Sequence, residues 1–131
     1  KPDHELISYK KIKGIIDSAA HYIDADIVFL SDARSLGYTE AILSLVKHHK
    51  LGEIIGRKTA GAGAESIPIR LLGNYNFSMT GMKCVDPSGK HLFGNPVVPT
   101  IHVPKTREMI GDNDIILQQA FVHLKNLINN K

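Results

Sequence analysis

The chain has one cysteine, no tryptophan and few aromatic residues of any kind, 6% of its 131 positions. A single thiol excludes an internal disulfide and leaves no cysteine-based zinc cluster. With Met82 and Val85 beside it, Cys84 reads as a small buried hydrophobe on a strand rather than as a reactive nucleophile. The histidines do not supply a metal site either. His4, His21, His91, His102 and His123 show no ligand spacing, and the adjacent His48 and His49 cannot readily share one ion from a helix. No metal and no cofactor are expected. No apolar run approaches the roughly 18 residues that a membrane span requires, and the amino-terminal KPDHELISYKK lacks the apolar stretch of a signal peptide. Because the chain starts at Lys1 without methionine, it is expected to be a fragment or a trimmed form. Positive charge is scattered rather than concentrated. The net charge is +3, and the one cluster, Lys10, Lys11 and Lys13, reads as a solvated helix face. With no helix-turn-helix or RNA-binding signature, nucleic acid is not an expected partner.

What is there is ordinary globular usage, 43% hydrophobic and 22% charged, enough to bury about two thirds of the unfolded surface around one core. A single domain over 1–131 is expected. Glu5–Ile23 carries Leu6, Ile12, Ile15, Ile16, Ala19 and Ile23 at helical rhythm, with Gly14 as a weak point. A strand over 26–31 and a helix over about 38–50 follow. Gly52 suits a left-handed helix end, and Glu53–Gly56 begins a second parallel strand. A unit of this kind wants a right-handed crossover, which brings the turn at Gly37 beside the loop at 59–64. Ser66–Leu72 and Tyr75–Val85 read as two strands joined at Gly73-Asn74, and Asp86-Pro87-Ser88-Gly89 as a type I turn. Pro96, Pro99 and Pro104 keep the next stretch extended and out of a central strand. Asp112 or Asn113 then caps a helix with Ile116, Ala120, Leu124, Leu127 and Ile128 on one face. That stripe covers the sheet in an isolated domain or docks on further chain in a longer parent.

The most informative stretch is Asp26–Leu45. Ile27, Val28, Phe29 and Leu30 form an apolar strand-like run, and Ala41, Ile42, Leu45 and Val46 recur at helical spacing. A side chain at the turn between them is aimed out of the end of the sheet. The amides that open the helix can hold a developing negative charge. Acyl-transfer enzymes place a serine at such a turn; here the residue is Gly37. Glu40 falls three positions later, where a carboxylate can fold back to the cap's own N–H, so serine at 37 would complete a capping box. Glycine costs a helix cap only a few tenths of a kcal/mol relative to serine. On the local pattern, Gly37 either marks an active-site frame without its reacting atom or simply supplies an unusual backbone angle. Ser31, Asp32 and Ser35 precede the turn and are poor substitutes for a nucleophile. The loop Thr59–Ala64 is not a phosphate-binding loop, because Lys58 comes before the glycines. It reads either as a plain flexible loop or as a wall that a peptide approaches closely.

Three blocks, in order, give the chain a resemblance to a family. VFLSDARSLGYTEAIL is similar to the strand, turn and Ser-x-x-Glu helix of the C-terminal processing, or tail-specific, serine peptidases. Glu40 matches their glutamate and Gly37 falls on their nucleophile. IGRKTAGAG, Ile55–Gly63, looks like their Gly-x-x-Thr-x-Gly loop. MKCVDPSGKHLFGNPVVPTIHV, Met82–Val103, is similar to their strand, Asp-Pro-x-Gly turn and Gly-[Val/Ile]-x-Pro-Asp-[Ile/Val] ending. The resemblance covers residues 27–103, and it implies a Clp-protease/crotonase-like α/β fold: a partly parallel sheet flanked by helices, with a β-hairpin. The family also includes tricorn-core peptidases and retinoid-binding modules.

The departures bear on function. Members with a Ser-Lys dyad carry the lysine at the position of Ala62, whereas the tricorn-like branch often reads Thr-Ala-Gly, as Thr59-Ala60-Gly61 does, and takes its base from a histidine earlier in the chain. Phe93–Pro96 lacks that branch's glutamate, and Thr100 replaces the usual aspartate. The family's Gly-rich strand end and its PDZ domain lie upstream of the matched region. The resemblance therefore implies the C-terminal part of a peptidase catalytic domain. Gly37 sits at the nucleophile position, the Tyr38 N–H serves the oxyanion, Glu40 orients, and Thr59, Gly61, Ala62 and Gly63 line the substrate cleft. Expected partners are peptide or protein C-terminal tails, and the missing N-terminal half or a second copy. The expected address is the bacterial envelope or exterior. As it stands the chain is expected to be inactive. The alternative is a noncatalytic module that holds a peptide or apolar ligand in the same cleft. A crotonase-like acyl-CoA enzyme is a third reading, for which nothing in the sequence marks a CoA pocket.

Overall fold

The computed structural model describes residues 24–63, 66–105 and 113–129. The helix expected over Glu5–Ile23, Ala64 and the Asp112 cap lie outside the described residues. Strand β1 is Val28–Ser31, helix α1 Tyr38–His49 and strand β2 Glu53–Gly56. β1 and β2 pair in parallel, Phe29 opposite Ile54 and Leu30 opposite Ile55. Strand β5, Ile101–His102, adds to the free side of β2, also in parallel, so that β2 is central. Pro99 and Pro104 bracket β5 and hold it to two residues at an edge, as prolines without an N–H require.

Alternation along β2 divides the core between the two faces of the sheet. Ile54 packs on one side with Leu43 and Val46 of α1 and with Leu92 and Val97; Cys84 packs at the rim of this cluster, half-buried. Ile55 packs on the other side with Val103 and with Ile116 and Ala120 of helix α2, Ile115–Asn129. The result is a mixed α/β architecture in which the three described strands of the sheet run parallel between helices. A separate antiparallel hairpin joins strands β3, Ser66–Arg70, and β4, Asn76–Thr80. Its turn carries Gly73 and Asn74 at positive φ, where the sequence places it.

Several boundaries differ from the sequence reading. The left-handed residue that ends α1 is Lys50 (φ 53°, ψ 45°), not Gly52, and the Leu51 amide reaches back to the Val46 carbonyl at 3.0 Å. Gly52 is needed for space: a Cβ there would lie 2.4 Å from the Ile27 carbonyl oxygen. β4 stops at Thr80, short of the expected Val85, which makes only an isolated bridge to His91; at Gly81, just past the strand, only glycine fits, since a Cβ would meet the Ile67 side chain at 2.1 Å. The Asp86–Gly89 turn forms as expected, closed by a 2.9 Å bond from the Gly89 amide to the Asp86 carbonyl. The cap of α2 is Asp114, one residue past Asn113; its carboxylate accepts the Leu117 amide at 3.0 Å. Of the α2 stripe, Ile116 and Ala120 are buried while Ile128 is exposed. Only the first half of the helix covers the sheet.

Candidate active site

β1 delivers the chain into a reciprocal turn. The Ser35 amide donates to the Asp32 carbonyl at 3.0 Å, and the Asp32 amide donates to Ser35 Oγ at 3.2 Å. The chain then reaches Gly37 at φ 61° and ψ −122°, the N-cap of α1. Glu40 and Ala41 donate their amides to the Gly37 carbonyl at 3.1 and 3.3 Å. A residue with a Cβ is strained at these angles, so the turn either takes glycine or holds a side chain at an energetic cost. Strand, sharp turn and helix is the frame on which acyl-transfer enzymes mount an exposed nucleophile.

Glu40 organises what faces the turn. It is fully buried, and its two oxygens are saturated by the small-residue loop. Oε1 accepts the Thr59 hydroxyl at 2.5 Å and the Gly61 amide at 2.6 Å, and Oε2 accepts the Gly63 amide at 2.7 Å. Burial works against the charge, but the Thr59 hydroxyl and the Gly63, Gly61 and Gly37 N–H groups outweigh it and hold the carboxyl below its ordinary 4.5. The Gly37 N–H is thus among the donors that favour the ionised form, the interaction expected of a glutamate at the third helical position. The loop is pinned on its other side by residues 92–97. Thr59 Oγ1 accepts the Val97 amide at 2.9 Å, the Thr59 amide donates to the Val97 carbonyl at 3.1 Å, and the Gly94 amide donates to the Gly61 carbonyl at 2.9 Å. The Ala60 amide closes the frame on the Ser35 carbonyl at 2.9 Å.

Glu40, Thr59, Gly61 and Gly63 therefore form one network beside Gly37. Thr59 and the two glycines are buried, Ala62 is half-buried, and the Tyr38 ring is mostly exposed at the first helical position. The Thr59 hydroxyl is spent on Glu40, so its side chain holds the loop rather than facing a ligand. Gly63 is obligatory: φ is +54°, and a Cβ would lie 2.1 Å from the Phe93 amide nitrogen. The nearby hydroxyls are also committed, Ser31 Oγ to the Arg57 carbonyl at 2.7 Å and Ser35 Oγ to the Asp32 amide. Among the described residues no group of His, Cys, Asp and Glu could hold a metal ion.

Sequence reasoning did not single out the cleft that adjoins this frame. About 380 Å³ in volume, it lies at the carboxyl ends of β1 and β2, and its wall includes Ser35, Asp32, Arg34, Arg57, Asp114 and Ile115. Asp32 accepts the Arg34 amide at 2.8 Å and Arg34 Nε at 3.0 Å. Burial raises its pKa, but these two bonds and the Arg34 and Arg57 charges prevail and hold it below 3.8. The signal available in the sequence was position alone, since Asp32 and Arg57 each follow a strand.

The model of peptidase family S41 matches residues 5–103. Among solved structures, mature CPAF is 25% identical and covers 65% of this chain and 17% of its own, with a TM-score of 0.59. The photosystem II D1 C-terminal processing protease is 21% identical and covers 61% of this chain and 21% of its own, with a TM-score of 0.52. A lipoprotein from Streptococcus agalactiae is 17% identical and covers 77% of this chain and 32% of its own, with a TM-score of 0.56. The chain thus spans between a sixth and a third of the length of these three proteins. Among curated protein sequences no significant match was found.

Proposed function

The chain belongs to peptidase family S41, and from that premise we propose that it is part of the catalytic domain of a tail-specific serine endopeptidase whose nucleophile position is Gly37. One observation carries the reading: Gly37 opens α1 at φ 61° and ψ −122°, at the end of the five-residue turn that follows β1. A serine with those angles would attack a peptide carbonyl, with the Tyr38 amide helping to hold the oxyanion. Glu40 fixes the loop Thr59–Gly63 as the wall along which the peptide lies. Without a hydroxyl at 37 the chain is inactive as given, since losing a serine nucleophile costs about 10⁶ in turnover. Substrates are protein or peptide tails, and further catalytic groups come from outside this chain. No described helix is long and apolar enough to cross a membrane, and the bacterial envelope or exterior is the proposed address.

The test is the complete gene product with Gly37→Ser, assayed against a fluorogenic peptide and a serine-directed phosphonate probe. Turnover and labelling at position 37 in the variant alone support the reading. Vigorous cleavage by the unaltered protein overturns it. Tight peptide binding with neither turnover nor labelling in the variant points instead to a noncatalytic binding module.

A further inference from the structure

Arg57, in the wall of the cleft beside the Gly37 turn, carries a donor without an acceptor. Arg57 Nε is buried and meets no hydrogen-bond partner, and its Nη2 forms a long ion pair with Asp32 Oδ2 at 3.9 Å, beyond hydrogen-bond reach. A buried donor left unpaired is costly, and a guanidinium edge presents its N–H groups as a fork that matches a carboxylate. The backbone holds Arg57 in place: its amide donates to the Ser31 carbonyl at 2.8 Å and its carbonyl accepts Ser31 Oγ. The carboxylates that share the wall are already engaged, Asp32 by Arg34 and Asp114 by the Leu117 amide. Their charges balance those of Arg34 and Arg57, and the start of α2 at Ile115 adds partial positive charge to the same wall. This balance favours a singly charged planar group over a phosphate dianion. The location is also where sheets of this kind bind ligands, outside the carboxyl ends of the strands.

We propose that this cleft is a subsite that receives a carboxylate of the bound peptide, read by Arg57. The proposal rests on the reading of the Gly37 turn as a peptide site. Ser35, in the cleft wall, is two residues from Gly37, a span of about 7 Å at most. A carboxylate there belongs to a residue about two positions along an extended peptide from the bond at the turn. It comes either from the end of the chain or from an aspartate or glutamate side chain.

The experiment is an NMR titration of the complete gene product, read at the Arg57 Nε–H resonance and at the amides of residues 35–40. The probes are acetate and three hexapeptides: one neutral and amidated, one neutral with a free carboxyl end, and one amidated with an internal glutamate. Acetate and at least one carboxylate peptide are expected to move the Arg57 resonance, the peptide binding about tenfold or more tightly than the neutral one. Arg57→Gln, with its amide spectrum otherwise preserved, is expected to erase that preference, and comparison of the two carboxylate peptides identifies the source. Equal binding of all three peptides, or a preference that survives Arg57→Gln, overturns the subsite and leaves the peptide site at Gly37 standing. A response to acetate with no peptide bound overturns both.

Discussion

Glu40→Gln is the sharpest perturbation of the frame, because it removes a charge and one acceptor while leaving the shape. The glutamine carbonyl can take the place of Oε1 and keep the Thr59 and Gly61 donors, but its NH₂ then faces the Gly63 amide, which Oε2 accepts at 2.7 Å in the native chain. One buried donor left unsatisfied costs about 1–3 kcal/mol, and two bonds reduced from charge-assisted to neutral lose roughly 1 kcal/mol each. The expected loss is about 3–5 kcal/mol, a large share of a typical domain stability of about 5–15 kcal/mol. Urea unfolding at neutral pH measures it as a lower midpoint at constant slope, and amide exchange at Gly61 and Gly63 should accelerate. The pH dependence has a defined sign. The folded carboxyl lies below its ordinary 4.5, so its contribution is complete above that value and is lost as pH falls through the folded pKa. The gap between native and variant proteins should therefore close in acid. A loss below about 1 kcal/mol at neutral pH, or a gap independent of pH, would refute the claim that an ionised Glu40 holds the loop.

Gly63→Ala should cost more than about 3 kcal/mol by urea titration, because its Cβ would meet the Phe93 backbone at 2.1 Å at φ +54°. Gly89→Ala, at φ +87° with open space around it, should cost only about 1 kcal/mol, and equal losses would refute the steric argument. Asp114→Ala removes the cap on the Leu117 amide and should cost about 0.5–2 kcal/mol, read as a lower midpoint for loss of helical circular dichroism.

The sequence disclosed the parts of the fold that depend on pattern. β1 and α1 follow from the change of period at residues 26–45, β2 from the Glu53–Gly56 run after the helix, and the hairpin from Gly73-Asn74 between two strand-like runs. It misplaced features that depend on through-space clashes. Gly52 looked like a helix end but is a point of close approach to Ile27, and Gly81, expected inside a strand, lies just past the end of β4 where only glycine fits against Ile67. Glu40 was legible as a helix-start carboxylate facing back to Gly37. Its larger role, binding Thr59, Gly61 and Gly63 at separations of 19 to 23 residues, was not, because no local spacing encodes a tertiary bond. Arg57 was passed over for the same reason: its unpaired Nε becomes visible only when β1, β2 and α2 are brought together.

The geometry of residue 37 also revises how a serine there would behave. An N-cap hydroxyl satisfies the helix amides when its residue has extended backbone angles, but Gly37 has φ 61° and ψ −122°. A serine in this turn would therefore gain little of the capping energy that the sequence spacing suggests, and its hydroxyl would stay uncommitted. Against that small gain stands the strain of a Cβ at positive φ, about 1–3 kcal/mol. Gly37→Ser should thus lower the unfolding free energy by about 1–2 kcal/mol, measured by urea titration beside Glu40→Gln. If Gly37→Ser instead stabilises the chain, the turn relaxes to an ordinary cap, the hydroxyl is consumed by the helix, and the position is not built to present a nucleophile. If it destabilises as expected while the Gly61 and Gly63 amides remain protected, the strain is confined to the turn. The scaffold held by Glu40 then stands independently of the atom that would react on it.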